Sequence, residues 1–278
     1  YNDDRLWKLE VDASGNGSAV IRFLPAPEGE ESPYVLVKRR IFKYEKTGKW
    51  YIENCLTTIG KDDPVGEHCS ELWNSGVESN KDIARERKRK DVYIANIFVI
   101  KDPKNPQNEG KNFLFEFGPK IFEKIQQQLQ PEFDDVQAFD PFDFWTGANF
   151  KLKAITKNKQ RSYDLATFDE PSALFGGDDE KLEALWKKQY SLAAEIAPDK
   201  FKTYDELKKR YAYVLGGSAA QSEAKSNDDA STRESESVVT STKPSSEPVV
   251  RRQSEQPRSE TVSGDDDTSA YAALLADD

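Results

Sequence analysis

From residue 88 to residue 125 the chain reads KRKDVYIANIFVIKDPKNPQNEGKNFLFEFGPKIFEKI. Lys88, Arg89 and Lys90 lead into a β-branched and aromatic run through Tyr93, the composition of a strand. A loop rich in Pro, Asn and Gly follows, then a second run that puts Phe113, Phe115 and Phe117 on one face. Pro119 opens a short helical pattern in which Ile121, Phe122, Ile125 and Leu129 share a side. Within 92–99 the period of two sets Tyr93, Ala95 and Ile97 against Val92, Ile94, Asn96 and Phe98. Cations and flat rings thus interleave on neighbouring strands. That pairing suits a single nucleic-acid strand, whose phosphates attract cations and whose unstacked bases seek aromatic partners.

Working outward, strand signals recur at 7–11, 18–24, 34–42, 49–54, 92–101, 112–117 and 149–156, separated by turn residues such as Gly15-Asn16-Gly17 and Thr47-Gly48. Their spacing predicts a small antiparallel barrel with insertions, mainly β with added helices. Helical periodicity marks 119–130 and 179–196, and a third helix opens on the capping-box pattern Thr203-Tyr-Asp-Glu206 and stops at Gly216-Gly217. The apolar stripes of these helices are packing surfaces. Residues 1–215 therefore form the globular core. Residues 216–262, dominated by Ser, Glu, Asp, Pro, Thr and Ala, lack the apolar area to offset ordering entropy and are expected to be a disordered linker. Residues 263–278 form an acidic-apolar tail, with Asp265, Asp266, Asp267, Leu274 and Leu275 expected to dock on a protein partner.

The net charge is −10. Six basic and thirteen acidic residues fall in 216–278, leaving 34 and 37 in the core, so the anionic excess belongs mostly to the tail. A net acidic chain can still present local positive potential to a polyanion. Two cysteines are too few for a disulfide scaffold, and neither a membrane-spanning run nor a signal-peptide pattern occurs, which leads to an expectation of a soluble, intracellular protein. No methionine is present, even at position 1, which reads as a trimmed chain.

Three basic patches stand in the core: Lys38-Arg39-Arg40 with Lys43; Arg85, Arg87, Lys88, Arg89 and Lys90; and Lys151, Lys153, Lys157, Lys159 and Arg161. Tyr or Phe follows each. The candidate strand-binding residues are Arg87, Lys88, Arg89, Lys90, Tyr93, Phe115, Lys120, Lys153 and Tyr163. Phosphate contacts and base stacking both act without sequence preference, so the expected activity is non-specific. Catalysis is a poor alternative. Asp134, Asp135, Asp140 and Asp143 have no spacing that would make them converge on two metal ions, His68 lacks a general-base network, and no phosphate-binding glycine loop is present. A protein-interaction adaptor with a recruiting tail is the other reading.

The strings Tyr93-x-Ala95-Asn96-Ile97-x-Val99-x-Lys101-Asp102-Pro103, Asn108-Glu109-Gly110-Lys111 and Phe117-Gly118-x-Lys120-Ile121 closely resemble the single-stranded DNA-binding protein family of T-even-like bacteriophages. Further matches are Trp7-Lys8-Leu9, the run from Gly15 to Pro25, Gly48-Lys49-Trp50-Tyr51-Ile52-Glu53-x-Cys55, and Gly147-Ala148-Asn149-Phe150-x-Leu152-Lys153. The resemblance runs in order through residues 7–215. It implies an OB-fold, a five-stranded barrel, carrying an inserted zinc-ribbon-like subdomain over about 38–90, with a C-terminal helical part. It implies a non-enzymatic protein of the host cell cytoplasm that coats single-stranded DNA during phage replication, recombination and repair. It also implies an acidic tail that recruits phage replication and recombination proteins and competes with DNA.

By position, Lys88, Arg89 and Lys90 match the family's basic cluster, Tyr93 and Tyr163 match aromatic cleft residues, and Phe115 stands where a tyrosine is usual. Ile94 replaces a tryptophan. The family's basic N-terminal segment, which mediates cooperative self-association on DNA, is not in this sequence, so weak self-association is expected. Zinc is the main departure. The family pattern is one His and three Cys including Cys-Pro-Val-Cys, whereas here the stretch reads Asp63-Pro64-Val65-Gly66 and Arg40 falls near the histidine position. Cys55 is retained, and His68 and Cys69 lie close by. A zinc site would need these three and a fourth ligand. Otherwise the two thiols are free, and contacts of Leu72 and Trp73 hold the subdomain.

Overall fold

The computed structural model describes residues 3–133 and 137–217, all within one unit. In chain order its first half forms β1 (Leu6–Trp7), β2 (Gly17–Phe23), β3 (Tyr34–Tyr44), β4 (Lys49–Asn54), α1 (Pro64–Asn74), α2 (Glu78–Glu86) and β5 (Arg89–Lys101). There follow β6 (Asn112–Phe117), α3 (Pro119–Leu129), β7 (Phe150–Lys157), β8 (Gln160–Ser162), β9 (Thr167–Phe168), α4 (Asp179–Trp186) and α5 (Tyr204–Val214). The class is α+β.

β5 organises the sheet because it is long enough to serve three partners. One edge pairs antiparallel with β6, from Tyr93↔Phe117 to Phe98↔Asn112. The other edge is shared: β3 takes its first half, from Tyr34↔Ala95 to Arg40↔Arg89, and β2 takes its second, from Phe23↔Ile97 to Val20↔Lys101. An irregularity between Val20 and Ile21 shifts the β2 register, as a bulge does where a strand must bend. β2 passes the sheet on to β7, β7 carries β8 and β9, and β1 adds in parallel to β6. The β7–β8 turn places Asn158 and Lys159 at φ of 53° and 64°, the left-handed pair a two-residue hairpin requires.

Both faces of β5 are covered. Ala95, Ile97 and Val99 enter the main core with Trp7, Ile21, Phe23, Phe115, Phe117, Ile121, Phe150 and Leu152, while Ile94 packs with Val37, Leu114 and Leu192. The Lys101-Asp102-Pro103 to Gly110 loop is fixed from within. Buried Asp102 accepts from Trp7 Nε1 (2.9 Å), the Asn105 backbone (3.1 Å) and Asn108 Nδ2 (3.2 Å).

Three expectations need correcting. The helix expected over 179–196 ends at Trp186 and resumes only as a short 3₁₀ turn at Ala193–Ile196; between them buried Asn96 donates to the Tyr190 carbonyl (2.8 Å) and accepts from its N–H (3.0 Å), taking up both backbone groups that a continuing helix would use. The strand expected over 7–11 shrinks to Leu6–Trp7. In the insert, α1 and α2 form a helical hairpin that periodicity did not mark. α1 starts on Asp63, whose side chain accepts from Gly66 N (2.9 Å), with Pro64 in the first turn where its missing N–H costs nothing.

The insert is not held by Leu72 and Trp73, since Trp73 is 49% exposed. Its core is Phe42, Tyr51 and Val65 with Tyr211 and Val214 of α5. The capping box at Thr203 and Glu206 is present, and it starts a helix that docks on the insert: Thr47 Oγ1 donates to the Val214 carbonyl (2.6 Å) and Arg210 to the Trp50 carbonyl (3.2 Å).

Candidate nucleic-acid interface

A cavity of about 90 Å³ opens beside β5 and β6, lined by Lys8, Arg39, Val92, Phe117, Arg161 and Tyr163 among others. The cross-strand register shows which basic residue of β3 reaches it. Arg39 of β3 lies opposite Lys90 of β5, and Arg40 opposite Arg89, so the first two basic patches are neighbours in space though fifty residues apart in sequence. Arg39 lines the cavity with its charge engaged: it makes a two-pronged ion pair with Glu116 (2.9 Å for each bond) and donates to Asn54 (2.7 Å). Such a fork fixes the guanidinium plane as well as its charge.

The predicted site residues divide. Lys88 and Arg89 are exposed at the start of β5, where Arg89 touches Thr57 Oγ1 (3.1 Å), and Lys90 is partly covered. Lys120 is exposed in the first turn of α3, next to cavity-lining Gly118. Tyr163 is half-buried on the cavity wall. Tyr93 is half-buried in an aromatic stack: its ring centroid lies 3.9 Å from Phe122 at 9° and 5.8 Å from Phe117 at 20°, with Tyr34 edge-on at 5.9 Å. Burial raises its phenol pKa above the usual value.

Three predicted residues take other roles. Phe115 is among the cavity's lining residues, but it is 5% exposed and packs edge-on against Trp7 at 5.4 Å, so it serves the core. Arg87 is 6% exposed. Its guanidinium lies 5.5, 5.7 and 5.5 Å from the ring centroids of Phe42, Tyr44 and Tyr211 and donates to the Tyr211 hydroxyl, so it holds the insert together. Lys153 follows cavity-lining Leu152 in β7, and strand alternation therefore sends it to the opposite face with Lys151, which pairs with Asp169. The third patch is split, with Arg161 alone of its members at the cavity. Composition could not single out Lys8, Arg161, Tyr34 or Phe122, because their places depend on strand pairing. Asp140 and Asp143 serve turns, accepting from the backbone N–H groups of Phe142, Trp145 and Thr146.

Cys55, His68 and Cys69 do not form a metal centre. His68 and Cys69 are adjacent on α1 and so diverge by about 100° around it. His68 Nδ1 bonds the Tyr211 hydroxyl (2.6 Å), while Cys69 Sγ faces Arg40 Nη1 (3.8 Å). Cys55 is buried, which pushes its thiol up to about 12. Among the described residues no three His, Cys, Asp or Glu side chains gather as a ligand group. The tail residues Asp265, Asp266, Asp267, Leu274 and Leu275, and the linker, lie outside the described residues. No helix among the described residues is long and apolar enough to cross a membrane.

A family model described as gp32 DNA binding protein like matches residues 15–215, and the chain belongs to this family, whose members are binding proteins rather than enzymes. Its similarity to particular members is extensive. It is 40% identical over 234 residues to the single-stranded DNA-binding protein of Enterobacteria phage T2, covering 80% of this chain and 75% of that protein. It is 39% identical over 234 residues to the protein of the same description from Enterobacteria phage T4, with the same shares. A third, from Escherichia phage SV14, is 48% identical over 73 residues, 25% of this chain and 63% of that one.

Proposed function

We propose that this chain binds single-stranded DNA without sequence preference, coating strands exposed in phage replication, recombination and repair within the host cytoplasm. The observation that carries the reading is one cavity lined by Lys8, Arg39 and Arg161 with half-buried Tyr163, on the sheet whose β5 strand starts at the exposed Arg89. Cations along a groove track the backbone, and half-buried rings at its side accept bases. The β2, β3, β5, β6 and β7 strands are read as an OB-type barrel, and residues 263–278 as a tail that recruits replication proteins and competes with DNA.

Salt titrations with oligo-dT, duplex DNA and RNA of equal length test the reading. The expected result is strongest binding to oligo-dT with a steep loss of affinity as salt rises. Lys88→Ala with Arg89→Ala should flatten that slope by roughly 1.4, since each single-strand phosphate contact contributes about 0.7. No binding, or equal binding to duplex, would leave the adaptor reading in its place.

A further inference from the structure

The insert poses a question that strand binding does not answer. The positions at or near the family's His and three Cys are Arg40, Cys55, Asp63 and Gly66, and only one of them is a ligand of the family type. All four nevertheless meet at one point. The Arg40 side chain is buried with its Nε facing Asp63 Oδ1 at 3.4 Å, and Cys55, also buried, directly precedes the Leu56 N–H that donates to the same carboxylate (3.4 Å). Cys69 Sγ lies 3.8 Å from Nη1, which also donates to the Arg87 carbonyl. A side chain begun at Gly66 would place its Cβ 3.3 Å from Nη2, so the guanidinium fills the space a ligand from that position would use.

We infer that the Arg40 guanidinium is the structural centre of the insert, standing where the family pattern places a metal ion, and that the insert folds without metal. The chemistry of the exchange is consistent at each position. A tetrahedral ion crosslinks segments through charge and directional bonds, and a guanidinium does the same with five N–H donors in a rigid fork. Here the fork joins β3, which carries Arg40, to the start of α1 through Asp63, to the middle of α1 through Cys69, and to the end of α2 through the Arg87 carbonyl. Asp63 supplies the single negative charge that a buried cation needs, and it is itself held by Gly66 N (2.9 Å) and Leu56 N (3.4 Å). The family histidine position became a cation, one cysteine position its counterion, and another a glycine that leaves it room. Each change makes sense only beside the other two.

The inference concerns the insert, and its test reads metal and stability, so it can fail without touching the proposal of strand binding. The chain is prepared in zinc-supplemented medium, its zinc content is measured, and its melting is followed with and without 1,10-phenanthroline. The expected result is substoichiometric zinc and no shift of Tm on chelation. Zinc at one per chain, with a Tm that falls when it is removed, would overturn the inference. Three exchanges, Arg40→His, Asp63→Cys and Gly66→Cys, combine with Cys55 to restore the family set, and this variant should take up one zinc and become chelator-sensitive. A folded variant that takes up none would show that the four positions do not converge, and would equally overturn it. Arg40→Met alone should lower Tm, with no recovery on adding zinc.

Discussion

Tyr93 stacks on Phe122 with ring centroids 3.9 Å apart, lies 5.8 Å from Phe117, and is half-buried. Offset stacking of this kind contributes about 0.5–1.5 kcal/mol per pair beyond burial, and a base added to such a stack contributes roughly 1–3 kcal/mol. Tyr93→Ala should therefore weaken oligo-dT binding by roughly 5- to 150-fold, while Tyr93→Phe keeps most of it. Fluorescence anisotropy at fixed salt reads the difference, and an Ala variant binding as the parent does would remove Tyr93 from the interface. Single residues were legible in the sequence only as far as strand alternation and exposure could be guessed. Lys88 and Arg87 are neighbours in one basic run, yet Lys88 is exposed and Arg87 is enclosed by Phe42, Tyr44 and Tyr211. Nothing local separates them. The aromatic box around Arg87 is assembled from β3 and α5, far away in the chain.

At the scale of elements, strands were more legible than helices. Runs of β-branched and aromatic residues located β2, β3, β4, β5, β6 and β7 within a few residues, with clean alternation in β7 and near-continuous burial along the middle of β5. α1 and α2 escaped because much of the hairpin is exposed and its apolar positions are few; the Asp63-Pro64 start, with Val65, Cys69 and Leu72 on one side behind it, was the signal available. The opposite error befell 179–196, where periodicity ran on but Asn96 captured the Tyr190 backbone. Asn96→Ala would leave both Tyr190 groups without their partner in a buried place. An unsatisfied buried group costs about 1–3 kcal/mol, so urea denaturation should show a stability loss on that order. An unchanged midpoint would mean that water satisfies both groups and that the α4 boundary has another cause.

For the whole molecule, charge is distributed by region. The net −10 of the sequence lies largely in 216–278, while the core exposes Lys88, Arg89 and Lys120 and lines its cavity with Lys8, Arg39 and Arg161. Under the proposed function, an acidic segment tethered to the core would meet the DNA site at an effective concentration that reaches the millimolar range. If the proposed autoinhibition holds, a chain ending at Gly217 binds oligo-dT more tightly at low salt, and the gain shrinks as salt screens the tail. Equal affinity of the two chains at low salt would discard it. Ending at Gly217 keeps the last turn of α5 intact, since Gly217 N donates to the Ala212 carbonyl (2.8 Å).

The seating of α5 also has a mechanical consequence. Its last turn is bonded to Thr47 through the Val214 carbonyl, and its Tyr211 hydroxyl joins His68 and Arg87. Tension applied beyond Gly217, as by a protein pulling on the tail, is therefore delivered first to the β3–β4 hairpin and the α1–α2 pair. The rest of the sheet feels it only afterwards, through β3 and its pairing with β5. A handle on the C-terminus would grip the insert, and optical-trap extension from that end should release α5 and the insert as the first rupture event.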